Sequence, residues 1–481
     1  MSSVEDPRST LKFGTSGLRG LAIELDGRPA SEHSLAFARV MLSRGEIAPG
    51  GRVLLGRDLR PSSPSIMRRC AAGLVAAGLI PVDCSLLPTP ALAAHALKLG
   101  APAIMVTGSH IPEDRNGLKF YRRDGEIDKH DEADIVAGAA RAAGTPLPAT
   151  DFEMASDPSA IGAYIDRAIS MLAPDAFKGM RIGVYQHSSV ARDLMVEVFT
   201  ALGAETIPLG RSDIFVPVDT EALRPEDEAL ALGWVREHQL DALVSTDGDA
   251  DRPLIADETG RFLRGDLVGA VAAAAFGADC VVTPVSSNSG IERCRRFARV
   301  LRTRIGSPYV IDGMHRVRAE GAARVIGFEA NGGVLVGSPV EIDSRALPTL
   351  PTRDALAPIL AVLHWSRRTA TPLSALAEAF RFSAAASGRL KDVPASATGP
   401  FLERLLKDRD FRYEIAGPGF RSHVLDTTDG VRMIAEDGTV LHYRASGNAP
   451  ELRCYVEVST AEAAAALLSA GLAEAGRCLG R

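Results

Sequence analysis

Short β-branched runs, each followed by a polar loop and often by a stretch of helical period, recur along this chain. "RVLLGRDLRPSS" (52–63), "RIGVYQHSSVAR" (181–192) and "CVVTPVSSNSG" (280–290) each predict a buried strand ending in a loop that opens a helix. "AIMVTGSH" (103–110), "ALVSTDGDADR" (242–252) and "RVIGFEANGG" (324–333) predict the strand-and-loop half alone. The two sets interleave in order, one member of each per hundred-odd residues. Strands alternating with helical stretches imply parallel α/β units. Three successive occurrences imply three related α/β domains in tandem, alike in pattern rather than in residue identity. After about residue 380 the texture changes. "GRLKDVPASATG" (388–399) predicts a loop, and "FRSHVLDTTDGVRMIAEDGTVLHYRASG" (420–447) predicts strands joined by Asp-Gly turns. "TAEAAAALLSAGLAEAGRCLG" (460–480) predicts a closing helix with a threonine at its start. The expected domains are therefore residues 1–150, 151–256 and 257–380, then a smaller α+β domain over 381–481.

Bulk properties narrow the function classes. A chain of 481 residues has room for such an arrangement. Apolar content of 46% and charged content of 24% are those of an ordinary soluble globular protein. A net charge of −6 argues against nucleic acid or an anionic membrane as partner, while leaving small phosphorylated ligands open. Six cysteines, at 70, 84, 280, 294, 454 and 478, form no C-x-x-C pair and read as reduced thiols of a cytoplasmic protein. "MSSVEDPRST" has no secretory character, and "LVGAVAAAAFGADCVV" (267–282) is short for a membrane span and interrupted by Asp279. It reads as an alanine-rich helix running into a strand.

Chemistry concentrates on a few loops. In "DGDADR" (247–252), Asp247, Asp249 and Asp251 alternate with small residues directly after a strand. Carboxylates so spaced on an extended loop can face one hard cation, and their mutual repulsion is relieved by it. A solvated acidic turn is the bland alternative; an EF-hand is excluded because no helix-flanked loop with a terminal glutamate follows. Magnesium, which takes few carboxylates plus a phosphate oxygen, suits the pattern, and Arg252 could hold a further phosphate oxygen. In "VTGSHIPEDRNGLKFY" (106–121), Ser109 has no G-x-S-x-G elbow, and His110 beside it points elsewhere on an extended chain. A serine that carries a phosphoryl group fits better than a triad nucleophile, with Arg19, His110 and Lys119 lining the approach. "FGTSGLRG" (13–20) offers glycines and Arg19 to an anion but is not a Walker loop. "YRASGNAPELR" (443–453) offers Arg444, Ser446, Asn448 and Arg453 to a phosphate. "GFEANGG" (327–333) offers Glu329 and Asn331, the acceptor and amide that a sugar diol needs.

These loops, in this order and over nearly the whole chain, resemble the α-D-phosphohexomutase superfamily. "TGSHIP" matches its phosphoserine loop and "DGDADR" its metal loop, while "FEANGG" and "RASGNAPELR" stand where its sugar and phosphate loops belong. The resemblance implies three related α/β domains with mixed sheets and a C-terminal α+β domain around a central cleft. It implies reversible phosphoryl transfer between the 6- and 1-positions of a hexose phosphate, through phospho-Ser109 and a hexose 1,6-bisphosphate. Magnesium would be held by Ser109, Asp247, Asp249 and Asp251; Arg19, His110 and Lys119 would move protons or stabilise charge. Arg252, Glu329, Asn331, Arg444, Ser446, Asn448 and Arg453 would bind the sugar phosphate, as would Gly306 and Ser307 in "TRIGSPYV" (303–310). Two departures stand out: in the phosphoserine loop, Gly108 where alanine is common and Ile111 where asparagine is common, both tolerable; and in the sugar loop, Asn331-Gly332-Gly333 where serine-glycine-histidine often follows the glutamate. The second leans the expectation towards mannose phosphate over glucose or glucosamine phosphate. A metal-dependent phosphatase and a non-catalytic phosphosugar sensor are the readings from other classes.

Overall fold

The computed structural model describes residues 9–14, 17–417, 420, 423–446 and 450–480. Four principal sheets follow one another along the chain. In the first, Arg52–Arg57, Ile80–Leu86 and Ala103–Val106 run parallel, and Arg115–Arg122 returns antiparallel beside Ala103–Val106. The second sets Glu205–Arg211, Arg181–His187 and Ala242–Thr246 parallel, closed by antiparallel Pro253–Ala256. The third does the same with Arg299–Thr303, Cys280–Pro284 and Val325–Phe328, closed by Val334–Val336 and then Leu350–Asp354.

One unit thus repeats three times. A buried strand (Ala103–Val106, Ala242–Thr246, Val325–Phe328) runs into a polar loop, and the chain turns straight back as an antiparallel strand. The sheets are therefore mixed, and the parallel units expected from periodicity are each finished by this return strand. The strand-and-loop half of the pattern was the visible trace of it. Ligand sites in open α/β sheets gather at the carboxyl ends of strands, and all three loops lie there.

The helix expected after "CVVTPVSSNSG" shrinks to the single turn Gly290–Arg293. Ala155–Ser156 pairs with Ile80–Leu86, so the first sheet recruits residues beyond 150. One apolar core joins the helix Thr89–Leu99 of the first unit to the second and third units, through residues such as Leu92, Phe199 and Phe328. That shared core is what fixes the three loops relative to one another.

The fourth sheet is wholly antiparallel, in the order Ala384–Leu390, Leu452–Val458, Val440–Ala445, Val431–Ala435, His423–Asp426. Here "GRLKDVPASATG" departs from the loop expected. Residues 388–390 end a strand paired along its length with Leu452–Val458, and Ala395–Lys407 is a helix. Pairing with a distant strand overrides the weak local preference of that segment. The closing helix Ala461–Cys478 is capped by Thr460, whose hydroxyl accepts from the Ala463 amide at 3.2 Å. No described helix is long and apolar enough to cross a membrane.

Candidate active site

The serine loop and the aspartate loop, 138 residues apart in sequence, meet in space. Ser109 is fully buried, and its Oγ donates to Asp247 Oδ2 at 2.5 Å. His110, expected to point elsewhere on an extended chain, instead brings its Nδ1 to 3.2 Å from the same Oγ, because Ser109 is left-handed rather than extended. A hydroxyl has one proton, and the shorter contact gives it to Asp247, so the His110 ring N–H donates to the serine oxygen. Burial, then the charges of Arg252 and Arg19, hold the imidazole well below its ordinary range and hence neutral.

Ser109 takes a left-handed backbone (φ +54°), as does Ala250 in the aspartate loop (φ +59°). Such conformations are strained for residues with a side chain and persist only where surroundings impose them. For Ser109 the imposing group is Arg60. Its guanidinium donates to the carbonyls of Ser109 (2.9 Å), Ile111 (2.5 Å), Pro112 (2.7 Å) and Arg115 (2.9 Å). Asp58 lies 3.3 Å from Arg60 Nε and also accepts from the Thr107 hydroxyl, which in turn accepts from the Ser109 amide. A Cβ at residue 108 would fall 2.5 Å from Arg60 Cζ, so Gly108 is what lets the arginine lie under the loop. Phe215, from the second unit, covers the guanidinium at 4.0 Å.

Asp247, Asp249 and Asp251 are all buried, each offering one oxygen within 4.8 Å of the others. Lys119 Nζ donates to Asp249 Oδ2 and Asp251 Oδ2, both at 2.6 Å. Thr89 donates to Asp249 Oδ2 at 2.5 Å. Asp249 Oδ1 and Asp251 Oδ1 are buried with no hydrogen-bond partner among the described residues. Two orphaned carboxylate oxygens beside a third acid are a donor set suited to a small hard cation. The protonation balance agrees with that. Burial and the neighbouring Asp249 and Asp251 push Asp247 well above the usual carboxylate range. Arg353 and Lys119 hold Asp251 well below it, against the opposing effect of burial.

His110 and Arg353 carry this cluster to the wall of a cavity of about 390 Å³ to which all four units contribute, while Ser109, Lys119 and the three aspartates lie buried behind that wall. Arg19, His110, Arg252, Glu329, Asn331, Arg444, Ser446 and Arg453 line the cavity. Arg19 is brought low, to about 10, by burial and by Arg252 and Arg353. Arg252 Nε and Nη1 are buried without hydrogen-bond partners among the described residues; the Asp219 and Glu221 carboxylates are 3.8 and 3.9 Å away. Gly306 and Ser307 depart from expectation. The wall there is Ile305, while Ser307 lies behind it, fully buried and accepting from Arg353 Nη1 at 2.7 Å. Asn448 falls outside the described residues.

Several wall groups carried no sequence signal. Arg389 stands opposite Arg453, and Arg453 opposite Arg444, giving a row of three arginines across adjacent strands. Like charges directly opposite are unfavourable, and the row is offset in part by Glu451, 3.4 Å from both Arg389 and Arg453, and by Asp429, 3.3 Å from Arg444. Arg60, Thr89, Phe215 and Arg353 were equally silent, because each acts on a loop remote in sequence.

With this geometry in place, comparison with known proteins is informative. The chain matches the phosphoglucomutase/phosphomannomutase alpha/beta/alpha domain I over residues 10–144, domain II over 162–260 and domain III over 264–382. The C-terminal domain of the same family matches over 383–473. A phosphomannomutase of Sinorhizobium fredii is 48% identical over 96% of this chain and 98% of its own. One from Salmonella muenchen is 42% identical over 98% and 97%. A crystal structure of a phosphoglucomutase/phosphomannomutase family protein from Burkholderia thailandensis shares the fold, with TM-score 0.71 at 21% identity over 97% of each chain. The chain belongs to the phosphoglucomutase/phosphomannomutase family, and is a phosphohexomutase.

Proposed function

We propose that the protein interconverts mannose 6-phosphate and mannose 1-phosphate by way of phospho-Ser109 and mannose 1,6-bisphosphate, in the cytoplasm. The observation that carries this reading is the placement of the Ser109 hydroxyl. It is 2.5 Å from Asp247 of the aspartate cluster, directly behind His110 in the wall of a cavity that a row of arginines also lines. The mannose assignment is supported by the two close phosphomannomutase relatives. The cytoplasmic assignment is supported by six cysteines that are all free.

In this mechanism the arginine row (Arg444, Arg453 and Arg389) and Ser446 grip the phosphate that is not reacting. Binding at that end holds the opposite hydroxyl in line with the phosphoserine, which can supply a large share of the rate enhancement. As the sugar oxygen bonds to phosphorus, the bond to Ser109 Oγ breaks. The proton lost by the sugar hydroxyl balances the one Oγ regains, with His110 and Asp247 the groups in contact with that oxygen. Lys119, Arg19 and Arg252 neutralise the moving charge, which is where phosphoryl transfer gains most from a protein. Asp247, Asp249, Asp251 and the Ser109 oxygen would hold magnesium, whose contribution is Lewis-acid stabilisation of the transferring oxygens. Once formed, the bisphosphate reverses in the cavity, and the second transfer repeats the first with the other phosphate.

Coupled assays with mannose 1-phosphate, glucose 1-phosphate and glucosamine 6-phosphate test the substrate. Mannose 1-phosphate is expected to give the highest kcat/KM, and a glucosamine preference of orders of magnitude overturns the assignment. Intact-mass analysis with peptide mapping tests the carrier, with phosphate expected on Ser109. Measuring free phosphate against isomerised product separates a mutase from a phosphatase.

A further inference from the structure

Arg353 is the last residue but one of the strand Leu350–Asp354 and is 2% exposed. Its guanidinium meets two carboxylates from different loops. Nη2 and Nε donate to Asp251 Oδ2 at 2.6 and 3.2 Å, and Nη1 donates to Glu329 Oε2 at 2.6 Å. Nη1 also reaches the Ser307 hydroxyl at 2.7 Å. A fork that spans two acids in this way fixes both in direction, which an ammonium cannot do. Space for it is reserved: a Cβ at residue 333 would lie 2.6 Å from Arg353 Cδ and 2.7 Å from the Asp251 carbonyl. Only glycine at 333 therefore lets the arginine pass between the sugar loop and the aspartate loop. Among the described residues, the hydrogen bonds of the Glu329 carboxylate, from Arg353, Ser307 and Asn331, all fall on Oε2. Oε1 is the oxygen left for a sugar hydroxyl.

We propose that Arg353 is a positioning residue that aims Glu329 at the sugar and couples it to the metal loop through Asp251. This rests on the reading of Glu329 as the sugar grip. The coupling has a sign that can be derived. While Glu329 shares the guanidinium, Asp251 keeps part of its charge for a cation. If Glu329 loses its charge, the guanidinium turns wholly to Asp251 and competes with the cation there.

The test uses the full-length protein and Mn²⁺, with free ion followed by electron paramagnetic resonance, so that the readout is independent of turnover. Glu329→Gln, which touches no aspartate of the cluster, is expected to weaken Mn²⁺ binding by about fivefold or more, the lower range of site-to-site coupling. In an Arg353→Lys background the same change is expected to leave Mn²⁺ affinity within twofold, because the bridge is already broken. Arg353→Lys alone, which keeps the charge and so guards against misfolding, is expected to raise KM for mannose 1-phosphate about tenfold with kcat altered less. Unchanged Mn²⁺ affinity in Glu329→Gln overturns the coupling, as does an Arg353→Lys enzyme with native KM. Failure of the functional reading shows separately, as absence of turnover of any hexose phosphate by the unaltered protein.

Discussion

The two ends of the cavity are built on opposite plans. At the serine end, Ser109, Asp247 and Asp249 are 0% exposed and Asp251 is 1% exposed. At the arginine end, side-chain exposure rises from 10% at Arg444 to 35% at Arg453 and 50% at Arg389. Charges in the first region are dry, matched against one another and set on a backbone locked by Arg60. Those in the second are wetter, an arginine row offset only by Glu451 and Asp429, and carried by a separate antiparallel sheet. Electrostatic interactions are far stronger where water is excluded, so the first plan suits chemistry and the second suits reversible capture of a phosphate.

That contrast can be broken in steps. Ser109→Ala removes the carrier and is expected to cost about 10⁴-fold or more in kcat, with loss of the phosphopeptide by mass spectrometry. Asp249→Asn removes one charge from the aspartate cluster and is expected to lower kcat by about 10²–10³-fold, with weaker Mn²⁺ binding in a direct titration. Arg60→Lys leaves every group that faces the cavity in place but cannot reach four carbonyls. A misplacement of the serine by about 1 Å would cost about 10²-fold in kcat with KM little changed, which steady-state kinetics would show. At the other end, Arg453→Gln is expected to raise KM about tenfold while kcat changes less, since one charge-assisted contact of about 1.5–3 kcal/mol is lost. A fall in kcat equal to that of Asp249→Asn would abolish the distinction between the ends.

The smallest effect concerns acid. Each end has one buried neutral histidine behind it: His187, with Nε2 2.8 Å from the Thr246 carbonyl, and His442, with Nε2 2.6 Å from that of Asp429. Burial brings both down from 6.5 to about 4. The unfolded chain therefore takes up protons that the folded one refuses. This contribution to stability is complete above pH 6.5 and is lost as pH falls towards 4. Thermal melts across that window should slope downward with acidification, and His187→Gln should flatten the slope.

What the sequence made legible follows from distance along the chain. The aspartate cluster could be read because Asp247, Asp249 and Asp251 are nearest neighbours but one, and the strand before them fixes where they sit. Ser109 was legible as a residue, but its contact with Asp247 depends on how two sheets share a core, which no local pattern encodes. Arg60 stands in "RVLLGRDLRPSS", which reads simply as strand, loop and helix. Its four carbonyl partners all come from residues 109–115, about fifty positions later. Gly108 looked like a tolerated departure, and its reason is the arginine beneath it. Gly333, which the sequence offers only as part of the Asn-Gly-Gly departure that leans towards mannose phosphate, has its reason in Arg353 beside it. The error at 388–399 has the same root, since that strand owes its existence to a partner more than sixty residues away.

The strap that Arg60 throws across residues 109–115 has a further meaning for the catalytic cycle. A carrier anchored so firmly cannot swing to visit two different oxygens of one hexose. On the proposed mechanism the serine would stand like a mooring post, and it is the half-reacted sugar that would let go, turn end for end and tie up again. On that mechanism, residence time of the doubly phosphorylated intermediate, rather than mobility of the protein's own nucleophile, would decide whether a turnover finishes or is abandoned midway.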